Sequence, residues 1–577
     1  MKLDLHLTYT HSDQESMEVE EMKLLIVESP GKLKTLRKIL GPDWILEASV
    51  GHTTELAHDG FKNLGFDLKD RAIMTRYIPR GPRGKQVLTK LREAVKRADE
   101  VYLAMDPDRE GEAIAWHLVE QLRLKKFTRV SYTQITASAV RAALANPRKL
   151  DLPLIEAQRA RQCLDKLVGY EVSPLLWNSS GGKSGGRVQS ATLHLVCERE
   201  RERMRFKPHD YWILKATYAN GMIAYYDPRD ANEETPHQIL TEEEAKAIEK
   251  IALTNPHVVQ AIEDREEKRL PPAPFITSSL QQMASVKLKM SPQKCMQVAQ
   301  ELYEGVGGKG LITYMRTDAV TLAPEFVAEA RAWLSRESPN EIAPHAPTFR
   351  TKADAQGAHE AIRPTDVNLT PEKATQLTGE QAALYRMIWE RTIASQCKPA
   401  RLAKSKVILV AASTRWIARG SRVIEAGYLK FWRNIDDDVE LPTVRVRDVV
   451  KLKTLKVEKK TTQPPPRYSE AKLVQLMEKL GIGRPSTYAS TVGILRAREY
   501  VRLEKQTLVP TELGMRTDDV LMRALPDLVN VKFTAEMESS LDRIAEGKVN
   551  WQHFLCDWNA GYLQSALQKA RMVLRGA

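Results

Sequence analysis

Three side chains with complementary chemistry, Tyr314, Arg316 and Asp318, stand at alternate positions closing the run Gly310-Leu-Ile-Thr-Tyr-Met-Arg-Thr-Asp318. A phenol, with an ordinary pKa of about 10, is a poor nucleophile at neutral pH. A fixed cation beside it favours the phenolate and offsets charge on an attacked phosphate, so Tyr314 with Arg316 suits covalent catalysis on a phosphodiester. Leu311 to Tyr314 is apolar and β-prone, which predicts a short strand delivering the tyrosine to an edge. Residues two apart on a strand share a face, so both groups would reach one phosphate. The plainer account is a Tyr and Arg packed at a strand end.

A second set of reactive groups is acidic. Glu28 ends the apolar run Lys23-Leu-Leu-Ile-Val-Glu28, which predicts a buried parallel strand; Ser29 to Lys32 is a turn, and Leu33 to Leu40 a helix stopped by Gly41. The pattern recurs at Glu100 to Met105, followed by Asp106, Asp108, Glu110 and Glu112 and a helix expected from Ala113 to Leu122. Asp106, Asp108 and Glu110 alternate on a strand-to-helix turn and offer hard oxygen ligands suited to Mg²⁺. Acids favoured by a helix dipole are the alternative for Glu110 and Glu112, but Asp106 and Asp108 precede that helix. Open α/β sheets bind ligands at the carboxyl ends of their strands, where Glu28 also falls.

Further along, Arg161 and Asp165 lie four apart on a predicted helix, spacing that also suits a surface ion pair. Gly181 to Gly186 lead into Arg187-Val-Gln189-Ser190; a phosphate-binding P-loop is ruled out because Trp177 occupies the place of its first glycine. His359 and Arg363 share the run Ala358-His-Glu-Ala-Ile-Arg-Pro364, which lacks the second histidine of a zinc protease. Gly481-Ile-Gly-Arg484-Pro-Ser486-Thr487-Tyr488 offers phosphate donors, or a helix cap at Ser486.

Taken together these runs resemble type IA DNA topoisomerases, on the bacterial topoisomerase I branch. Ile-Thr-Tyr-Met-Arg-Thr-Asp resembles that family's active-site strand, Glu28 with Asp106 and Asp108 looks like a Toprim domain, and Gly-Arg-Val-Gln-Ser and Gly-Ile-Gly-Arg-Pro-Ser-Thr-Tyr are similar to two further family motifs. The likeness runs from Met22 onward. It implies a toroid of multidomain α/β, helical and β-rich parts, and ATP-independent relaxation of negatively supercoiled DNA through a 5′-phosphotyrosine at Tyr314. It assigns Arg316 and Lys32 to charge stabilisation, His359 to support, and Glu28 to proton donation. Glu28, Asp106, Asp108 and Glu110 become the Mg²⁺ set, and Arg161, Asp165, Arg187, Gln189, Arg363, Arg484, Ser486 and Thr487 the DNA contacts. Gln134 departs from the family, which usually has Glu there. A topoisomerase III-like decatenase, a Toprim nuclease or primase, and a non-catalytic DNA-binding relative are the competing readings.

Composition sets the frame for these sites. At 577 residues the chain needs several cores. A formal charge of +13 and a pI near 9.2 suit a polyanionic partner. Five scattered cysteines, with no Cys-x-x-Cys, predict a reduced protein without the zinc ribbons that many bacterial relatives carry. No apolar run approaches the roughly 20 residues of a membrane span. The reduced cysteines and the resemblance imply a cytoplasmic, nucleoid-associated monomer. The predicted division is a flexible leader over 1–21, a Toprim domain over 22–146, a helical DNA-binding domain from 147–207 and 464–577, a β-rich arch from 208–273 and 399–463, and a helical unit over 274–398 carrying Tyr314. Neither ATP nor zinc is expected.

Overall fold

Along Lys23–Val27, Leu24 and Ile26 pack into one core and Leu25 and Val27 into another, so this strand is buried on both faces. A strand of that kind belongs inside a parallel sheet covered by helices. It pairs in parallel with Trp44–Ala48 on one side and Glu100–Ala104 on the other, with Thr128–Arg129 beyond. The helices Lys32–Leu40 and Arg109–Leu122 leave the carboxyl ends of the two central strands, which brings the residues after Val27 and after Ala104 side by side. The computed structural model describes residues 21–69, 71–228, 238–349 and 360–575; the predicted leader, apart from its last residue, lies outside them.

Leu152–Ser179 and Arg187–Arg205 form a helical unit with segments from the far end of the sequence. The apolar side of the first helix, Ala157 to Leu176, packs against Val520, Leu541, Trp551 and Leu567. The small hairpin residues Leu56, Leu64, Phe66 and Ile73 join the same core and tie this unit to the parallel sheet.

A seven-stranded antiparallel sheet draws on two separate stretches, in the order Val449–Val450, His257–Arg269, Ala400–Ala411, Thr414–Glu425, Ile223–Tyr226, Asp210–Tyr218, Leu452–Thr461. Glu242–Thr254, capped by Thr241, supplies Ala245, Ile248 and Ala252 to its apolar face. Between the neighbouring strands His257–Arg269 and Ala400–Ala411 the chain makes a long excursion. It contains the helices Thr277–Leu288, Pro292–Glu304, Pro324–Glu337 and Gly379–Ser395 and carries Tyr314. The excursion shares one hydrophobic core with the parallel sheet: Leu25, Val27 and Leu36 cluster with Tyr303, Leu311 and Tyr314. No helix among the described residues is long and apolar enough to cross a membrane.

Candidate active site

Leu311 to Tyr314 is extended but is not the strand its composition predicts. Ile312 makes a single bridge to Pro364, and the other backbone groups are divided among different partners. Thr313 N donates to Arg363 O at 3.0 Å and Tyr314 N to Thr133 O at 2.7 Å, so the tyrosine is fixed by loops from two units rather than by a ladder. Its ring is buried, edge-on to Tyr303. Its hydroxyl donates to Asp108 Oδ2 at 2.7 Å, and Arg316 Nη1 lies 3.6 Å from the same oxygen. Tyrosine and arginine therefore do converge, on a carboxylate.

That convergence reverses one expectation about the phenol. Burial, then Asp108, pushes the Tyr314 hydroxyl well above its usual pKa, and Arg316 offsets only part of this. In this arrangement the phenol keeps its proton and gives it as a hydrogen bond. Asp108 has a structural task as well. The helix begins at Arg109, four residues before the predicted start, and Asp108 is its cap, accepting from Gly111 N at 2.8 Å.

The four predicted metal carboxylates are differently engaged. Asp106 accepts from the fully buried Lys32 ammonium. Burial opposes the charge on Lys32, but Asp106, Tyr132 and Glu28 together raise its pKa. Glu110 is taken by His52 at 2.7 Å, a bond that lowers its pKa against the opposing effect of burial. Glu28 Oε2 is buried with no partner among the described residues, and burial followed by Asp106 and Asp108 pushes its carboxyl up to about 8. Among the described residues no three His, Cys, Asp or Glu side chains are arranged to hold an ion, although Asp106 and Asp108 both act on Glu28. The turn geometry divides them: Asp108 caps the helix through Oδ1 and Glu110 lies in its first turn, held by His52. Glu112, completely buried, belongs to the scaffold, held by Arg129 at 2.6 Å and by Arg148.

The predicted DNA-contact residues fall into two groups. Arg161 and Asp165 do not pair with each other; Arg161 binds Glu538 at 3.0 Å and Asp165 binds Arg187 at 3.3 Å. Arg187 also grips Glu538 at 2.5 Å, and Arg484 is held by Asp542. Despite complete burial, Glu538 is held far below the carboxylate range by Arg161, Arg187 and Arg484. Gln189 bonds to Ser184 O at 3.1 Å. Ser486 is exposed and does not cap the next helix, while Thr487 Oγ1 accepts from Arg484 N at 2.8 Å. Arg161, Arg316, Arg484 and Ser486 nevertheless line one cleft with Asp108 and Glu110. Arg363 departs from expectation: it is buried over the Phe326 ring, doubly bonded to Glu360 and in contact with Gln134 at 3.3 Å. It joins two units and is not presented to a phosphate. His359 lies outside the described residues.

Sequence reasoning passed over Arg109 and Asp542, which line the same cleft. Arg109 was visible between Asp108 and Glu110; Asp542 carried no local signal.

A DNA topoisomerase family model matches residues 149–556, and a Toprim domain model residues 23–135. The chain belongs to the bacterial DNA topoisomerase family. It is 42% identical over 569 residues to DNA topoisomerase 1 of Rickettsia felis, covering 94% of this chain and 73% of that one. It is 39% identical over 542 residues to DNA topoisomerase 1 of Campylobacter jejuni, covering 92% of this chain and 77% of that one. The solved structure of full-length topoisomerase I from Thermotoga maritima superposes with a TM-score of 0.83 at 36% identity, covering 96% of this chain and 90% of that one. The fold is the multidomain type IA toroid, and the chain is a type IA DNA topoisomerase whose parallel sheet is its Toprim domain.

Proposed function

We propose that this topoisomerase relaxes negatively supercoiled DNA, without ATP, through a covalent bond between Tyr314 and the 5′ phosphate of a cut single strand. The observation that carries this reading is the meeting of Tyr314 and Arg316 on Asp108, next to the strand end that bears Glu28. As the phenolic oxygen attacks phosphorus, its proton passes to Asp108, which already accepts it. Arg316 and Lys32 offset charge gathering on the phosphate. The leaving 3′ oxygen takes a proton from Glu28, whose raised pKa keeps it protonated at neutral pH. Religation runs the same transfers backward. The ester stores the energy of the broken bond, so no nucleotide is needed.

The acidic set suits Mg²⁺ chemically: Glu28 has an idle buried oxygen and is crowded by Asp106 and Asp108. Asp106 and Asp108, with Glu110 if it leaves His52, would hold the ion, and Glu28 would join them only as the carboxylate, after giving up its proton. Bound there, Mg²⁺ supplies positive charge that relieves the crowding and draws in phosphate oxygen. Arg161, Arg316, Arg484 and Ser486 supply the cleft for a single strand, gripped by its backbone and therefore salt-sensitive. The enzyme acts as a monomer in the cytoplasm, and the unit over 274–398 swings from the Toprim face to let a strand pass.

Relaxation of negatively supercoiled plasmid with Mg²⁺ and no ATP tests the reading. A ladder of topoisomers from the native chain and none from Tyr314→Phe, with strand binding kept, is expected. Relaxation persisting in Tyr314→Phe would sink it.

A further inference from the structure

The cleft beside Tyr314 is lined by cations that already hold an anion belonging to the chain. Arg109 Nη2 donates to Asp542 Oδ1 at 2.5 Å, and Arg484 Nε approaches Asp542 Oδ2 at 3.2 Å. Both guanidiniums and the carboxylate line the cleft with Asp108 and Arg316. Arg109 is nine-tenths buried, yet its Nε and Nη1 have no hydrogen-bond partner among the described residues, and Arg161 Nε is likewise idle. Buried donors without acceptors are costly and rare in native proteins. One carboxylate cannot satisfy two guanidinium forks. A phosphodiester presents two oxygens in the same planar match to a guanidinium and leaves further lone pairs for the idle donors.

We infer that Arg109 and Arg484 form a seat for a backbone phosphate of the cut strand, and that Asp542 fills this seat until the strand displaces it. The inference rests on the reading of the cleft as a DNA site. Its physical content is an exchange of one anion for another: the strand must break the internal pairs before it gains its own. Asp542 thereby weakens strand binding and keeps the arginines ordered while the cleft is empty. Glu538 is too deeply buried to leave, so Arg161 and Arg187 stay anchored while Arg109 and Arg484 change partner.

Anisotropy of a labelled short single strand, measured with Tyr314→Phe protein so that no ester forms, tests the exchange. Asp542→Asn is expected to bind roughly tenfold tighter at low salt, with the gain shrinking as salt rises. Arg109→Gln should bind roughly tenfold weaker, and the double variant should show a smaller gain from the asparagine, since only Arg484 is then left to be released. Asp542→Glu, which keeps the charge, should stay near the parent. Unchanged or weaker binding by folded Asp542→Asn overturns the proposal, as does a gain that Arg109→Gln leaves undiminished. If Asp542→Asn fails to fold, by circular dichroism, Arg109→Gln decides: unaltered affinity in that variant overturns the seat. Absence of strand binding by the parent at any salt overturns the DNA reading itself. Normal plasmid relaxation by the Tyr314 enzyme beside an indifferent Asp542→Asn overturns the exchange alone.

Discussion

Glu28 shows what crowding costs one side chain. Its carboxyl has an ordinary value of 4.5 and is pushed to about 8 by burial and then by Asp106 and Asp108, with Lys32 and Arg316 pulling the other way. Between those two values the folded chain binds a proton that the unfolded chain has released, so stability falls as pH rises through that window and the full penalty stands above about 8. Glu28→Gln, which has no proton to lose, should melt at a higher temperature than the parent above pH 8 in EDTA, the gap closing toward pH 4.5. Melting curves that stay parallel across this range would remove the argument. The residues proposed to do the chemistry stood out in the sequence because each sits in a short local pattern: strand then acid for Glu28, acids before a helix for Asp106 and Asp108, tyrosine before arginine for Tyr314. Their partners were not. Arg161 meets Glu538 across 377 positions, and Tyr314 meets Asp108 across 206. No sequence window contains both members, so the charge on an arginine reads as available until the fold shows what holds it.

At the scale of elements, the acidic turn between Ala104 and Arg109 works only if its backbone can fold tightly under the helix that follows. A methyl on Gly111 would lie 2.1 Å from Asp106 O, a backbone atom that carries its carboxylate along when it moves. Gly111→Ala is therefore expected to destabilise the chain by about 1–3 kcal/mol and to impair relaxation out of proportion to that loss. Gly31, in the other strand-to-helix turn, provides the contrast. Its added methyl would meet only the end of the Glu304 side chain, which can swing away, and Gly31→Ala should alter stability by no more than about 0.5 kcal/mol. Denaturant titration of the two variants compares them directly; equal losses would mean that backbone crowding is not what sets this turn. Periodicity placed the strand Lys23–Val27 and the helix after it close to their observed bounds. It misplaced the start of the Arg109 helix because Asp106 to Glu112 carries no apolar residue to mark a first turn, and it made a strand of Leu311 to Tyr314 because an extended apolar run looks the same whether or not a ladder accepts it.

For the whole molecule, the face that parts in the proposed reaction is a continuous apolar core with a few hydrogen bonds across it. Leu25, Val27 and Leu36 lie against Tyr303 and Leu311, while Tyr314 N binds Thr133 O at 2.7 Å, Gly310 N binds Ile135 O at 3.1 Å and Thr133 Oγ1 binds Glu360 Oε1 at 3.1 Å. Hydrogen exchange reads this opening directly. The Tyr314 and Gly310 amides should exchange through an event of lower free energy than global unfolding, while central-sheet amides such as Leu409 do not share it. Protection of all three up to the global limit would mean that the face does not part on its own. The shared core was hidden from sequence reading, which divides a chain at changes of texture and cannot see two units closing on each other. The excursion that carries Tyr314 leaves the sheet at Arg269 and returns at Ala400, and those two residues face each other at the head of a ladder that continues to Val258 and Val410. A broken DNA end tugging on the tyrosine would therefore load both strands from the same end and in the same direction. Strands drawn together do not peel apart. The tension passes sideways into Thr414–Glu425 and Val449–Val450, so the pair works as a two-ply tow line whose strength lies in its neighbours.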